Sequence, residues 1–574
     1  MSNPIRYTSR DYASILNDMN NDPELANKPI WFKKALAGIA DNNHKYIDAQ
    51  ANNTYLETIF TRKKMELKLR EMNYDLFGKV AASGLLRFNI DPDNLPVGTI
   101  AKENLTAIRQ DGVTAIDYGV RVNHPYVAPS SDPVTLVDAG TDTFTVDASN
   151  YYTGDLIRVG ASGFPGGLDG VTNYYVIKIN DTSIKLAVGL TEAYAGTAID
   201  ITSTGATVTV TNYALIFDGY QQKYITEYVL GTGDNTEWQE FDLADKDVIS
   251  ETILITIDLT SYTIVDNWTD SVAGGKNFVH RHKSTGDYIE FGDGTLYGFT
   301  PASDINISYA VGGGLSGNTK SLNIVNIYTG GLSNIVDVSN VTNFTGGSEE
   351  ENIERARRLA PILLATKEIF IEEEDGEALT LAYGGVSAVK VNKNYYGPLT
   401  SRVVIVPSGG GTSSTAFKSA LKAYLESKSW AEVTVIDATY DVTNFTSVMI
   451  EKAGSSRAKA LNYYEFAIKL WLDPVGIEIL DQYQEFGITT AISTINIRYS
   501  YSFDSLDYDS IESIIDKAIE YNIYARINET YRESDILAYL DDVPYVDYLT
   551  ISAPTFPFAL GAQNITSIGT ITTT

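Results

Sequence analysis

The chain has 574 residues, with 73 acidic against 43 basic side chains and a formal charge of −30, so phosphates would be repelled and a nucleic-acid partner is not expected. It contains no cysteine, which excludes disulfides, thiolate zinc sites and cysteine nucleophiles and fits folding in a reducing cytoplasm. The length exceeds a single hydrophobic core and predicts about three to five domains; the polar start Met1–Tyr7 and the lack of any apolar run near ~20 residues predict neither a secretion signal nor a membrane span.

Residues 1–82 read as a helical region. Asp11 caps a first helix through Leu16, Pro23 and Pro29 break the chain, and Trp31 to Gln50 resumes with Phe32, Leu36 and Ile39 on one face. From Thr54 to Phe77 the pattern predicts a long helix with two apolar faces. One carries Leu56, Ile59 and Phe60; the other carries Met65, Leu69, Met72 and Leu76 at i, i+4, i+7 and i+11. Such a helix is buried on both faces, the second belonging either to this chain or to a partner, so these residues are the interface candidates. Arg62, Lys63, Lys64, Lys68 and Arg70 form a basic cluster, read first as a solvated face and second as a contact for an acidic partner.

Short strands with Gly/Pro turns follow over 83–132 and 213–345, a β-rich domain interrupted by a small inserted β-domain at 133–212. The insertion has period-2 strands at Thr143–Val146, Leu156–Val159, Tyr174–Ile179, Ile184–Ala187 and Ala206–Val210. An insertion costs least in a loop. In the second half, Asp293-Gly294 after alternating apolar residues predicts a β-hairpin with a type I′ turn. Ile305, Ile307 and Tyr309 then alternate as a half-buried strand, ended by Gly312, Gly313 and Gly314.

Residues 346–440 predict an α/β domain. Ser348 with Glu351 makes a capping box for a helix ending before Pro361. A second helix spans Glu372 to Ala382 and stops at Tyr383-Gly384-Gly385; strands at Ser387–Asn392 and Arg402–Val406, a helix at Ser414–Lys428 and a strand at Val433–Ala438 follow. The last domain, 441–574, is also α/β. Its strands are Thr446–Lys452, Ile495–Ser502 and Tyr548–Ser552, and its helices lie near Ser456–Leu472, Tyr508–Asn522 and Arg532–Leu540. The uncharged Thr/Ile-rich tail Ala562–Thr574 is expected to order only against a neighbour. The fold class is therefore multi-domain α+β.

Chemistry is weakly signalled. His280 and His282 face the same side of a strand, compatible with two metal ligands, but no third ligand is placed by sequence and ordinary surface histidines are the favoured reading. The glycine loops at Gly274-Gly275-Lys276, Gly312–Gly314 and Gly409–Gly411 lack the spacing of a phosphate-binding loop. Asp287, Glu290 and Asp293 could form a glycosidase pair or a Ca²⁺ site only with a cleft or an EF-hand spacing that is not legible here. Glu372, Glu373, Glu374, Asp375 and Glu377 suit a helix N-terminus as well as a basic partner. No catalytic residue, cofactor or metal site is assigned, and the chain reads as a non-enzyme.

The segment Tyr288–Asn318 resembles the baseplate J-like family, wedge components of contractile phage tails and related injection machines. The match is Ile-Glu-Phe-Gly-Asp-Gly over 289–294, Pro301, a strand reaching Tyr309, and Gly-Gly-Gly-Leu-Ser-Gly-Asn over 312–318. Further matches are Gly346-Gly347 with an Arg-rich helix, the strand begun by Gly385-Val386, the Pro-ended strand at Pro407, Val433-Thr434-Val435, and the closing step Asp542–Val546 into Tyr548–Ser552. The loop Phe164-Pro165-Gly166-Gly167-Leu168 before Tyr174–Ile177 resembles a small β-domain inserted in phage tail proteins. The resemblance implies a baseplate wedge subunit that dimerises within a ring, joins other wedge proteins through its N-terminal helices, and contacts the central hub and sheath-initiating proteins. It also implies assembly in a bacterial cytoplasm and transmission of the trigger for sheath contraction. A receptor- or carbohydrate-binding tail protein is the alternative, with Tyr151, Tyr152, Phe164, Tyr174 and Tyr175 as an exposed sugar platform.

Overall fold

The computed structural model describes residues 11–573 except 26, 53–58, 60–61, 71–73, 75, 112–113, 266, 284–285, 352, 367–368, 474–507 and 522–525. Its architecture is mixed α+β, with helices first, three large β-sheets and a two-stranded one next, and two α/β layers last among the described residues. Helix α1 (Tyr12–Asn21) starts where Asp11 accepts from the Ser14 amide at 2.9 Å and Ser14 Oγ accepts from the Asp11 amide at 2.9 Å, a reciprocal cap that satisfies two otherwise orphaned donors. Helix α2 (Ile30–Asn52) packs on α1.

Of the long helix expected over Thr54–Phe77 the described residues hold α3 (Arg62–Arg70), and Ile59, Tyr74, Leu76 and Phe77 are not helical; 53–58, 60–61, 71–73 and 75 lie outside the described residues. Ile59 and Leu76 lie outside the helix, although both are buried. Their periodicity reflects burial from several directions rather than a continuous helical face.

The first sheet orders Ile327–Tyr328, Thr106–Asp111, Thr114–Val120, Ala214–Gln221, Ser83–Ile90 and Ile335–Asn340. Leu86, Phe88, Tyr118 and Phe344 fill its core. A second sheet, made only from strands between Ser131 and Asn212, has its own core around Phe144, Ile157, Val176 and Ile184. This unit also carries the short helix α4 (Leu190–Ala195). The third sheet runs from Lys223 to Val311 and is built on Ile255, Phe278, Ile289 and Ile307.

The Asp293-Gly294 hairpin does not form. Strand Gly286–Glu290 pairs with Asn277–Lys283 and Glu240–Asp242, whereas Asp304–Val311 pairs with Lys223–Thr232 and Leu254–Ile257. Only Gly294 of the pair takes positive φ, +69°. The Asp293 carboxylate instead accepts from the amides of Thr295, Leu296 and Tyr297 at 3.0, 2.9 and 2.7 Å. That side-chain turn, competing with the backbone turn, opens a loop that crosses from one side of the sheet to the other.

Helix α5 (Ile353–Thr366) begins later than the Ser348 cap predicts and runs through Pro361 rather than stopping before it. Ser348 is bridged to Val80, which leaves it extended, and Glu351 is drawn into the interior. Helices α6 (Glu373–Tyr383) and α7 (Thr415–Ser427) then flank the strands Val386–Lys393, Thr400–Pro407 and Glu432–Asp437, close to the expected positions. Gly384, at φ +85°, ends α6.

In the last unit α8 (Arg457–Leu472), α9 (Tyr508–Glu520) and α10 (Glu533–Asp541) pack against a sheet ordered Val546–Ala553, Thr439–Glu451, Asn564–Thr573. The tail is thus a parallel strand of its own chain, registered from Thr439↔Asn564 to Ser447↔Thr573, not a segment awaiting a neighbour. Its uncharged Thr/Ile alternation is strand propensity satisfied at home. The expected strand Ile495–Ser502 lies outside the described residues.

Candidate functional site: the N-terminal interface and the buried polar junctions

The interface candidates divide sharply. Ile59, Met65, Leu69 and Leu76 are buried in one cluster with Ala356 and Ala360 of α5, so in this structure they pack the chain against itself. Leu56, Phe60 and Met72 lie outside the described residues. Polar ties reinforce this packing: Arg357 donates to the Ile59 carbonyl, and Arg62 donates to the Glu351 carbonyl and pairs with Glu350 at 3.3 Å. Part of the basic cluster therefore meets acidic residues of its own chain.

The Glu351 side chain accepts from the Tyr74 hydroxyl at 2.6 Å and the Phe77 amide at 3.4 Å. Burial pushes its carboxyl up to about 7, against the hydrogen bond from Tyr74 and the charge of Arg355.

Among the described residues, α2 carries an open apolar face. Trp31 is 68% exposed, Ile39 59% and Tyr46 66%, spaced so that all three fall within one side of the helix. Phe32, Leu36 and Ile39 were expected to share a face, but Phe32 and Leu36 are half-buried while Ile39 is exposed. Pattern alone cannot tell which of two adjacent apolar stripes a neighbouring helix will cover; the packing of α1 decides it.

Two polar junctions hold the β-units together. At the base of the 131–212 unit, the fully buried Arg87 donates to the Thr153 carbonyl at 2.7 Å and lies 3.9 Å from Asp155 and 3.7 Å from Asp337. Asn89 donates to the Gly154 carbonyl at 3.0 Å and accepts from the Leu156 amide at 3.1 Å. Burial raises the Asp155 carboxyl to about 6 despite the Arg87 charge, and burial raises Asp337 as well. Gly154, at φ +94°, leaves room that any Cβ would take from the guanidinium.

The other junction is the glycine run. Gly313 and Gly314 take φ of +101° and +103°, and a Cβ on Gly313 would lie 2.8 Å from Lys79 Cβ. Gln221 donates to the Gly313 carbonyl at 3.0 Å, and Glu349 accepts from the Leu315 amide at 3.0 Å. Lys79 reaches Asp247 at 3.1 Å and Glu349 at 3.7 Å. The run is therefore where the N-terminal lead-in, the first and third sheets and the approach to α5 converge.

His280 is not a surface group, and His282 is partly exposed. The His280 side chain is 1% exposed, and with His282 and Asp287 it forms a cluster whose ligating atoms lie within 4.8 Å of one another. Burial pushes the His280 imidazole below its ordinary value. Burial alone would raise the Asp287 carboxyl, but the two histidines and the Val248 amide hold it well below the carboxylate range. The register pairs Asp287 directly with His282 across the hairpin, a third member that local spacing could not place. His282 also lines a cavity of about 440 Å³ with Arg121, Glu251, Lys79, Tyr220 and Tyr383.

The proposed sugar platform is not presented. Tyr151 and Tyr174 are 2% and 3% exposed and belong to the core of the second sheet, Tyr152 and Tyr175 are half-buried, and Phe164 is 42% exposed. The aromatic alternation marks an inward face. No described helix is long and apolar enough to cross a membrane.

No family model matches the chain, and no curated protein matches it. Among solved structures it is similar to a chain of the anti-feeding prophage (AFP) baseplate, seen by cryo-electron microscopy with six-fold symmetrisation. That match has 11% identity, covers 96% of this chain and 90% of that chain, and has a TM-score of 0.27. It is also similar to a chain of the type VI secretion system TssK-TssF-TssG baseplate subcomplex at 11% identity, covering 71% of this chain and 96% of that chain, with a TM-score of 0.31.

Proposed function

We propose that this chain is a structural wedge subunit in the baseplate of a contractile injection system, such as a phage tail, with no catalytic role. The observation that carries the reading is the place of the residues behind the baseplate J-like resemblance. The Gly312–Asn318 run and Gly346-Gly347 meet at one junction, where Asn318 donates to the Gly347 carbonyl at 2.8 Å and accepts from its amide at 2.9 Å. This junction ties the lead-in, the first and third sheets and the approach to α5 to one another, an arrangement that suits a multi-domain ring subunit.

In this reading the N-terminal helices join other wedge proteins. Their contact is the open α2 face of Trp31, Ile39 and Tyr46, because Ile59, Met65, Leu69 and Leu76 already serve internal packing. Copies of the chain dimerise through the C-terminal α/β unit to close a ring around the hub, next to the sheath-initiating proteins, and rearrangement of that ring transmits the trigger for contraction. Electron cryomicroscopy of the assembled particle tests this. The proposal expects the chain in the ring with α2 against a different wedge protein; a position at a fibre tip, with α2 in solvent, would overturn it.

A further inference from the structure

We propose that His280, His282 and Asp287 bind a divalent transition-metal ion of the zinc class. Two strands of one hairpin, Asn277–Lys283 and Gly286–Glu290, present all three side chains, and the direct His282↔Asp287 pairing fixes their register. Rigid strands are suitable carriers for ligands, since a metal site tolerates little positional error.

The case rests on His280. Its Nδ1 lies 2.8 Å from Ser250 Oγ, while its buried Nε2 stands 3.8 Å from Asp287 Oδ2, beyond hydrogen-bonding distance, with no closer partner among the described residues. The Ser250 contact admits the tautomer with Nδ1–H on the serine oxygen, in which Nε2 directs its lone pair at the carboxylate; a metal ion, or in the other tautomer the Nε2 proton, then lies between the two. Two acceptors facing each other in a buried site are unfavourable unless a cation lies between them. A hydrogen bond from the outer nitrogen is also how proteins orient a metal-bound imidazole.

Asp287 is fixed as well: its Oδ2 accepts from the Val248 amide at 2.8 Å, and its Oδ1 lies 2.7 Å from His282 Nδ1. Zinc bonds near 2.1 Å put tetrahedral ligand atoms about 3.4 Å apart. The 2.7 Å pair must therefore open by roughly 0.7 Å and the 3.8 Å pair close by roughly 0.4 Å. Small side-chain rotations supply this.

Two imidazoles with one carboxylate suit zinc, cobalt or nickel and not calcium or magnesium, which prefer oxygen ligands. The cavity at His282 gives the ion an entry path and room for a water as fourth ligand. Because the His282 ring lies so close to Gly78 that a Cβ there would come within 2.6 Å, a bound ion would stiffen the wall on which the N-terminal lead-in rests.

The test uses the full chain stripped with a chelator and titrated with Zn²⁺ alone, then with Co²⁺. The expected result is a single zinc per chain, the visible bands of four-coordinate cobalt, and a metal-dependent rise in Tm. His282→Asn should lose all three while its metal-free Tm stays near that of the parent. Ser250→Ala should weaken affinity by about 10–100-fold, and a His44→Ala/His124→Ala chain should bind as the parent does. Absence of zinc binding in the parent, or binding that survives His282→Asn and disappears with His44 and His124, would overturn the proposal. Should His282→Asn fail to fold, the Ser250→Ala affinity and the cobalt spectrum decide.

Discussion

Replacing Arg87 by Met should loosen the 131–212 unit from the first sheet, and the loss should depend on pH. Arg87 and Asp155 are both fully buried, and Asp337 is largely so. The Asp155 carboxyl stands at about 6 against an ordinary 3.8, which corresponds to a cost of about 3 kcal/mol for the ionised form. The sign follows: this cost is absent below pH 3.8 and complete once pH has risen through 6. Arg87 reduces the cost but does not cancel it, since neither carboxylate is within hydrogen-bonding distance and only the Thr153 carbonyl accepts directly from it.

Removing the cation leaves two buried carboxyls facing one another, and breaking such a group by one partner typically costs ~3–5 kcal/mol. Hydrogen exchange is the suitable assay, because a multi-domain chain does not unfold in one step. Exchange of the Leu156 amide, held by Asn89, should accelerate by a factor matching that loss at pH 7.5 and by much less at pH 5, where Asp155 is protonated. Adding Asp155→Asn should recover part of the loss. Equal acceleration at both pH values, after correction for intrinsic exchange, would refute the electrostatic account, as would a change below about 1 kcal/mol.

Glu351→Gln should flatten the pH dependence of the α3–α5 packing. The parent loses about 3 kcal/mol as pH rises from 4.5 to about 7, so local stability by exchange near Phe77 should fall over that window in the parent and not in the variant. Gly292→Ala should destabilise the third sheet by ~1–3 kcal/mol, because its Cβ would collide with the Tyr297 carbonyl; an unchanged urea midpoint would contradict the loop geometry. Gly313→Ala, with φ at +101° and Lys79 in the way, should separate the lead-in from the first sheet, seen as faster proteolysis near residue 80.

The α/β part was the most legible in sequence. Helices α6 and α7 and the strands that they flank have their signals close at hand: Ser414 caps α7 by accepting from the Phe417 amide at 3.1 Å, and Gly384 stops α6. Signals that compete with distant partners misled. Asp293-Gly294 looks like a hairpin turn until its carboxylate is seen to cap three amides. Ser348 and Glu351 look like a capping box until Val80 and Tyr74 claim them. The tail strand and the His280–His282–Asp287 cluster depend on register, in which Thr439 meets Asn564 and His282 meets Asp287, and no local pattern encodes that.

The interface candidates show the same limit from another side. Helical spacing correctly marked Met65 and Leu69 as buried, but what buries them is α5, nearly three hundred residues later in the chain. The exposed stripe on α2 becomes visible only once α1 has packed on that helix.

That stripe offers the most direct test of the assembly account. The full chain carrying Trp31→Glu and Ile39→Glu should be co-expressed with the neighbouring wedge proteins and purified through one of them. Both residues are more than half exposed, so the isolated chain should keep its Tm. The account predicts that the altered chain no longer co-purifies while the parent does; undiminished co-purification of a folded double variant would contradict it.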